Sequence, residues 1–342
     1  MNKAGKILSI NPEYSIPGGE LIIECQDVDI KDSSSLAVYF NGEKGRIVGA
    51  SAERFLVIVP DNFDSQTANV LIENEGVKSN SIDITIGKKI ADNLHIVANP
   101  AVDPKDGSII LTRSGSRGQK LPATLFRLES DGYLGEMSAD VMNPTGVAFD
   151  NIGKLLVTNR ADGEVYQINR DEEVVPLASD LGIATGIAFD NEGAMYVGDR
   201  SGTIFKIFEL GDKISWALLE PSVSAYHMAF GTDENLYVSA PGLCSYDAIY
   251  RIDKDGLDEI FYKGLGRPQG LAFDTDGNLY VAACLKGRHG IVKISPDGEN
   301  AEIFVAGMGI VGLCFTKRGE MIVATNEAVY SLPLDIYGIL LG

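Results

Sequence analysis

Apolar positions in residues 1–88 recur at a spacing of two, in stretches such as Leu21-Ile22-Ile23 and Val57-Ile58-Val59, with Gly, Pro, Asn and Asp between the stretches. That alternation predicts strands over Ile7–Ile10, Glu20–Cys25, Leu36–Phe40, Arg46–Gly49, Phe55–Val59, Ala68–Glu73 and Ile82–Ile86. About seven short strands in so short a segment make a two-sheet sandwich.

Further along, one phrase repeats. It reads Pro144-Thr-Gly-Val-Ala-Phe-Asp150 with Leu155-Leu-Val-Thr-Asn159, then Ala184-Thr-Gly-Ile-Ala-Phe-Asp190 with Met195-Tyr-Val-Gly-Asp199. It returns from Ala225, Pro268 and Ile310, so that Thr145, Thr185, Tyr226, Gln269 and Val311 stand 40, 41, 43 and 42 residues apart. A degraded copy, Ala101-Val102-Asp103 with Ile109-Ile110-Leu111-Thr112-Arg113, precedes them and makes six units. A period near 40 with two apolar strands and two weaker ones describes a propeller blade, whose faces are buried only when blades stack in a ring. In each blade the phrase is the inner strand, Asp-x-x-Gly is the turn, and Leu-Tyr-Val is the second strand.

Two resemblances follow from these residues. Residues 1–88 resemble the TIG/IPT immunoglobulin-like family through Ile10-Asn11-Pro12, Pro17-Gly18-Gly19-Glu20, Val38-Tyr39-Phe40-Asn41-Gly42, Val59-Pro60 and Asn74-Glu75-Gly76. Residues 89–342 resemble the NHL-repeat and gluconolactonase-like class of six-bladed β-propellers. The expected chain is therefore all-β, an immunoglobulin-like sandwich followed by a propeller. The first resemblance implies a contact module without chemistry. The second is shared by lactonases, lyases and interaction proteins, so it fixes architecture rather than activity.

Composition narrows the partners. The formal net charge is −19, and residues 1–88 (8 Lys/Arg, 13 Asp/Glu) and the remainder (21 and 35) are both acidic. Neither offers the broad basic face that nucleic acid or an anionic membrane would need. No apolar run is long enough for a membrane span, and the first residues lack the apolar run of a signal peptide. The chain reads as cytoplasmic as written, and a truncated secreted form would read the same. Cys25, Cys244, Cys284 and Cys314 form no CxxC pair, so free thiols are expected.

The meander places the start of the inner strand and the end of the second strand at one face of the ring, where ligands of such rings sit. The openers include Asn99, Thr145, Thr185, Tyr226 with His227, and Gln269; the strand ends include Arg113, Asn159 with Arg160, Asp199 with Arg200, Ala240, Cys284 and Asn326. Arg113, Arg160 and Arg200 fall at corresponding points of three successive blades, with Arg267 and Arg117 near by. They suit a carboxylate or phosphate, or else each ties a neighbouring Asp such as Asp162 or Asp199. The gluconolactonase-like resemblance implies oxygen ligands for a divalent cation such as calcium at Asn159 and Asp199, but the openers lack the Asn residues that class often uses. His227 with Cys244 and Cys284 offers a soft-metal or thiol site only if the three converge, and otherwise small core residues. No set of acid, base and nucleophile assembles. The expectation is a non-catalytic protein that binds a small anionic or polyhydroxylated molecule through Arg113, Asn159, Arg160, Asp199, Arg200, Tyr226, His227, Arg267 and Gln269, or that binds a protein partner. The alternative is a metal-dependent lactonase or lyase.

Overall fold

The structure is a computed structural model that describes residues 4–30, 35–115, 119–208, 211–242 and 246–339. Arg117 and Cys244 lie outside these. The described residues contain no α-helix, and every regular element is a strand.

The repeat becomes six four-stranded units. The first is built from Ala101–Val102, Ile109–Thr112, Leu125–Leu128 and Leu134–Glu136, and the second from Pro144–Phe149, Leu155–Asn159, Glu164–Ile168 and Val174–Ala178. The third runs from Ala184–Phe189 to Lys213–Leu218, the fourth from His227–Phe230 to Asp258–Gly266, and the fifth from Leu271–Phe273 to Ala301–Ala306. The sixth takes Ile310–Phe315, Glu320–Thr325 and Val329–Pro333 from the end of the chain. Its outer strand is Lys88–Ala91, which pairs with Val329–Ser331 and closes the ring.

Local chemistry explains why the phrase folds this way. Asp150 Oδ1 accepts the N–H groups of Ile152 at 3.0 Å and Lys154 at 2.8 Å, and Gly153 takes a φ of 78° that a side chain would resist. Asp274 does the same for Asp276 and Asn278. The Tyr of Leu-Tyr-Val donates its hydroxyl back to that turn: Tyr196 to Asp190 at 3.1 Å and Tyr280 to Asp274 at 3.1 Å. Each blade then buries its faces against its neighbours. Ile110 and Leu125 of the first pack with Val147 and Phe149 of the second. Around the ring the pairing continues until Ile322 and Ala324 of the sixth meet Leu94, Ile96 and Val102 at the first. At about 25 cal/mol per Å² of apolar surface, these interblade layers are the main stabilising term.

Residues before the ring form two sheets. One orders Ala4–Asn11, Glu20–Val28, Arg54–Ile58 and Arg46–Ala50; the other contains Leu36–Phe40, Thr67–Asn74 and Val77–Ile86. Leu21, Ile23, Phe40, Phe55, Val57 and Ile72 fill the space between them and are fully buried. Glu20–Val28 shows why: along its first six residues every second side chain is buried and the ones between are half-buried. This part is joined to the ring through backbone. Tyr14–Ser15 pairs in parallel with Thr85–Ile86 on one side and with Val305–Ala306 of the fifth blade on the other. Arg288 of the same blade donates to the carbonyls of Asn11 at 3.1 Å and Glu20 at 2.9 Å.

Candidate functional site at the mouth of the ring

At the end of the ring where the second strands finish, Arg113, Arg160 and Arg200 follow Thr112, Asn159 and Asp199 directly. Arg160 Nη2 donates to Ser114 Oγ at 3.2 Å, and Arg200 Nη2 donates to the Val223 carbonyl at 2.7 Å. These contacts join the second blade to the first, and the third blade to the loop that enters the fourth. Among the described residues none of these three guanidinium groups makes an ion pair. Arg200 Nε is buried with no hydrogen-bond partner. Burial pushes the pKa of Arg160 down, and the nearby positive charge of Arg200 pushes it further in the same direction. Asp162 and Asp199, the carboxylates that might have paired them, point elsewhere.

Asn159 and Asp199 are turn-builders. Asn159 Oδ1 accepts the Ala161 N–H at 2.9 Å and its Nδ2 donates to Asp162 at 2.7 Å. Asp199 Oδ1 accepts the Ile183 N–H at 2.8 Å and Oδ2 accepts the Ser201 hydroxyl. Their oxygens are engaged within their own blades, and the described residues hold no group of three or more His, Cys, Asp or Glu placed for a metal ion. Calcium would need six or more oxygens, so these two residues do not fit it as they stand.

Beside the arginines a cleft of 900 Å³ opens over blades four to six. Arg267, Gln269, Cys284, His289 and Asn326 reach it, with backbone of Gly266, Gly290, Gly307 and Gly309 between them. Arg267 is exposed and has a φ of 46°, and its N–H is accepted by the Asp247 carboxylate at 3.2 Å. Met308, Gly309 and Asn326 also border a second cleft of 740 Å³, in which Arg113 stands near His95 and Lys89.

Two sequence-selected residues are not at this face. Tyr226 is 0% exposed, donates its hydroxyl to the Glu220 carbonyl, and packs between blades three and four. His227 is 5% exposed and lines the axial channel below the mouth. Side chains of an inner strand alternate between the two faces of its blade, and both faces are covered by neighbours. Thr145 shows the same constraint, with its hydroxyl on the Ala184 carbonyl at 3.0 Å. Ser114 and His289 were missed. Ser114 follows Arg113 directly, which the spacing could have flagged. His289 lies on the strand Arg288–Ile294, where no spacing in the phrase marks it.

No protein-family model and no curated protein matches this sequence. Solved structures share the fold. An auxiliary nutrient binding protein from Bacteroides ovatus aligns with a TM-score of 0.57 at 13% identity, over 98% of each chain. A structural genomics protein of unknown function from Bacteroides thetaiotaomicron aligns with a TM-score of 0.54 at 14% identity, over 96% of this chain and 98% of that one. A gluconolactonase from Xanthomonas campestris aligns with a TM-score of 0.56 at 15% identity, over 72% of this chain and 88% of that one. The structural neighbours are thus propeller proteins of the gluconolactonase-like kind, and at these identities the likeness is one of fold. No helix among the described residues is long and apolar enough to cross a membrane.

Proposed function

We propose that the propeller is a ligand-binding device for a small hydroxyl-rich molecule bearing a carboxylate or phosphate. The anion sits on Arg160 and Arg200 and the body of the ligand lies in the cleft over blades four to six. The carrying observation is the pair itself: two neighbouring guanidinium groups without a carboxylate, in a chain of net charge −19. Like charges held together in a partly buried place favour an anion between them, and guanidinium binds carboxylate and phosphate in a bidentate fork. Arg113, Arg267 and Gln269 extend the arc, and the amide and imidazole groups of the cleft suit hydroxyls. Residues 1–88 act in this reading as a TIG/IPT immunoglobulin-like module that holds the fifth and sixth blades or meets a partner. A lactonase or lyase is the competing reading. The engaged oxygens of Asn159 and Asp199 count against its metal-dependent form.

The test is calorimetric titration with glucuronate, a sugar phosphate and glucose. The charged sugars should bind and glucose should not. Arg160→Ala combined with Arg200→Ala should weaken binding by about a hundredfold or more, since each hydrogen bond to a charged group contributes roughly 1.5–3 kcal/mol. A double variant that keeps wild-type affinity, or a wild type that treats glucuronate and glucose alike, sinks the reading.

A further inference from the structure

Along the axis of the ring the inner strands enclose a channel of 180 Å³. All six blades contribute to it, from the level of Thr145 to the level of Phe149 and its equivalents Phe189, Phe230, Phe273 and Phe315. Ile339 lines it too, where residues 338–339 run beside the fifth blade and the Ile339 N–H reaches the Phe273 carbonyl at 3.1 Å. No Asp, Glu, Lys or Arg is among the lining residues. Its side chains are mostly Ala, Val, Ile, Leu and Phe, and polar atoms, backbone among them, make up a sizeable minority of the exposed wall.

One level of the channel is unusual. Blades two, three, five and six have Gly146, Gly186, Gly270 and Gly312 there, whereas blade one has Asn99 and blade four has His227. The Asn99 amide is committed to the neighbouring strands, with Nδ2 on the Leu271 carbonyl at 2.8 Å and Oδ1 on the Leu313 N–H at 3.1 Å. His227 has no such role. It is 5% exposed, faces the channel, and makes no side-chain hydrogen bond to any described residue. The imidazole therefore offers its ring nitrogens to the channel, at a position where glycine serves four other blades. A cavity of ~150 Å³ with apolar walls is known to hold a molecule the size of benzene, so the space here suffices for a small ring.

We propose that the axial channel is a second binding site, for an uncharged, mostly apolar molecule of about the size of phenol whose single hydroxyl or amide group hydrogen-bonds the His227 imidazole. Burial holds the pKa of His227 down at about 4. The ring is therefore neutral near pH 7 and presents one donor and one acceptor, as such a ligand requires. The absence of charge in the wall excludes the anions that suit the mouth, so this site is independent of the arginine pair.

The experiment uses the full chain, with phenol and benzene as probes, read by calorimetry and by the ring-nitrogen chemical shifts of His227. Phenol should bind about tenfold more tightly than benzene, the preference of roughly one well-made hydrogen bond. Phenol should also move the His227 ring-nitrogen shifts while benzene leaves them in place. His227→Gly, the residue used by the other blades, should remove the preference, and His227→Gln should retain part of it. Equal affinities, no saturation of either probe, or a preference that survives in His227→Gly would overturn the proposal. If His227→Gly does not fold, unmoved His227 shifts on saturation of the wild type with phenol overturn it equally.

Discussion

Blade two enters the ring with Thr145-Gly146-Val147-Ala148-Phe149 and blade three with Thr185-Gly186-Ile187-Ala188-Phe189, nearly the same residues twice. At the mouth, the ends of the second strands differ from blade to blade: Arg160 and Arg200 in these two, Ala240, Cys284 and Asn326 in the last three. The two regions are made by the same strands a few residues apart. On the axis, backbone of one blade lies against backbone of the next, so only small residues and a fixed pattern are tolerated. At the mouth the chain leaves the sheet, and side chains are free of that constraint. Repetition marks where packing decides, and departure from it marks where chemistry has room. His227 is the informative exception, a mouth-like departure set inside the packed axis.

The largest effect that could break this comparison concerns that exception. The folded chain holds His227 at a pKa of about 4, against the ordinary 6.5. Between those values the unfolded chain takes up a proton that the folded chain refuses. The stability this residue permits is complete above pH about 6.5 and is lost as pH falls towards 4, by up to ~3 kcal/mol. Cys314 is the one other titratable side chain lining the channel, and burial raises its pKa, so it stays a thiol throughout. Denaturant unfolding across this range should show the loss in wild type and a flatter profile in His227→Gln; parallel profiles would mean that the imidazole is not neutral in the fold. A somewhat smaller effect tests the rule itself. A Cβ on Gly186 would stand 2.7 Å from the Tyr226 carbonyl oxygen and 3.0 Å from Met228 Cγ. Gly186→Ala should therefore cost about 2 kcal/mol by overpacking the joint between blades three and four. A melting temperature equal to wild type would show that the axis is looser than the repeat suggests.

Much of this was readable in the sequence because a repeat aligns itself. The phrase gave the six units, the Asp and Gly of the turn, and the equivalence of Arg113, Arg160 and Arg200. The ring's closure was not readable: Lys88–Ala91 carries no phrase and pairs with residues about 240 positions away. Nor was the direction of the openers. Tyr226 begins a strand and so suggests the rim, but its side chain turns into the interblade layer. The depth of His227 did leave a signal, since it replaces the glycine of the phrase, and glycine there means the axis. Partners such as the Val223 carbonyl leave none, because backbone atoms are the same at every residue. The strands of the first part were legible as alternation, whereas its hold on the fifth blade through Tyr14–Ser15 rests on two residues of strand.

The finest contrast lies between adjacent residues of the mouth. Asn159 and Asp199 tie their blades through backbone N–H groups, while Arg160 and Arg200 make one side-chain hydrogen bond each. Removing a buried acceptor from its N–H donor costs about 1–2 kcal/mol. Asn159→Ala and Asp199→Ala should each lose that much in denaturant unfolding. Arg160→Ala should stay within roughly 0.5 kcal/mol of wild type, because relief from Arg200 offsets the lost contact to Ser114. Calcium should not raise the melting temperature of wild type, since the oxygens it would need are already bonded. If instead Arg160→Ala proved the costlier change, the arginine would be a brace between blades, and the division of labour between neighbours at each blade exit would be the reverse of the one argued here.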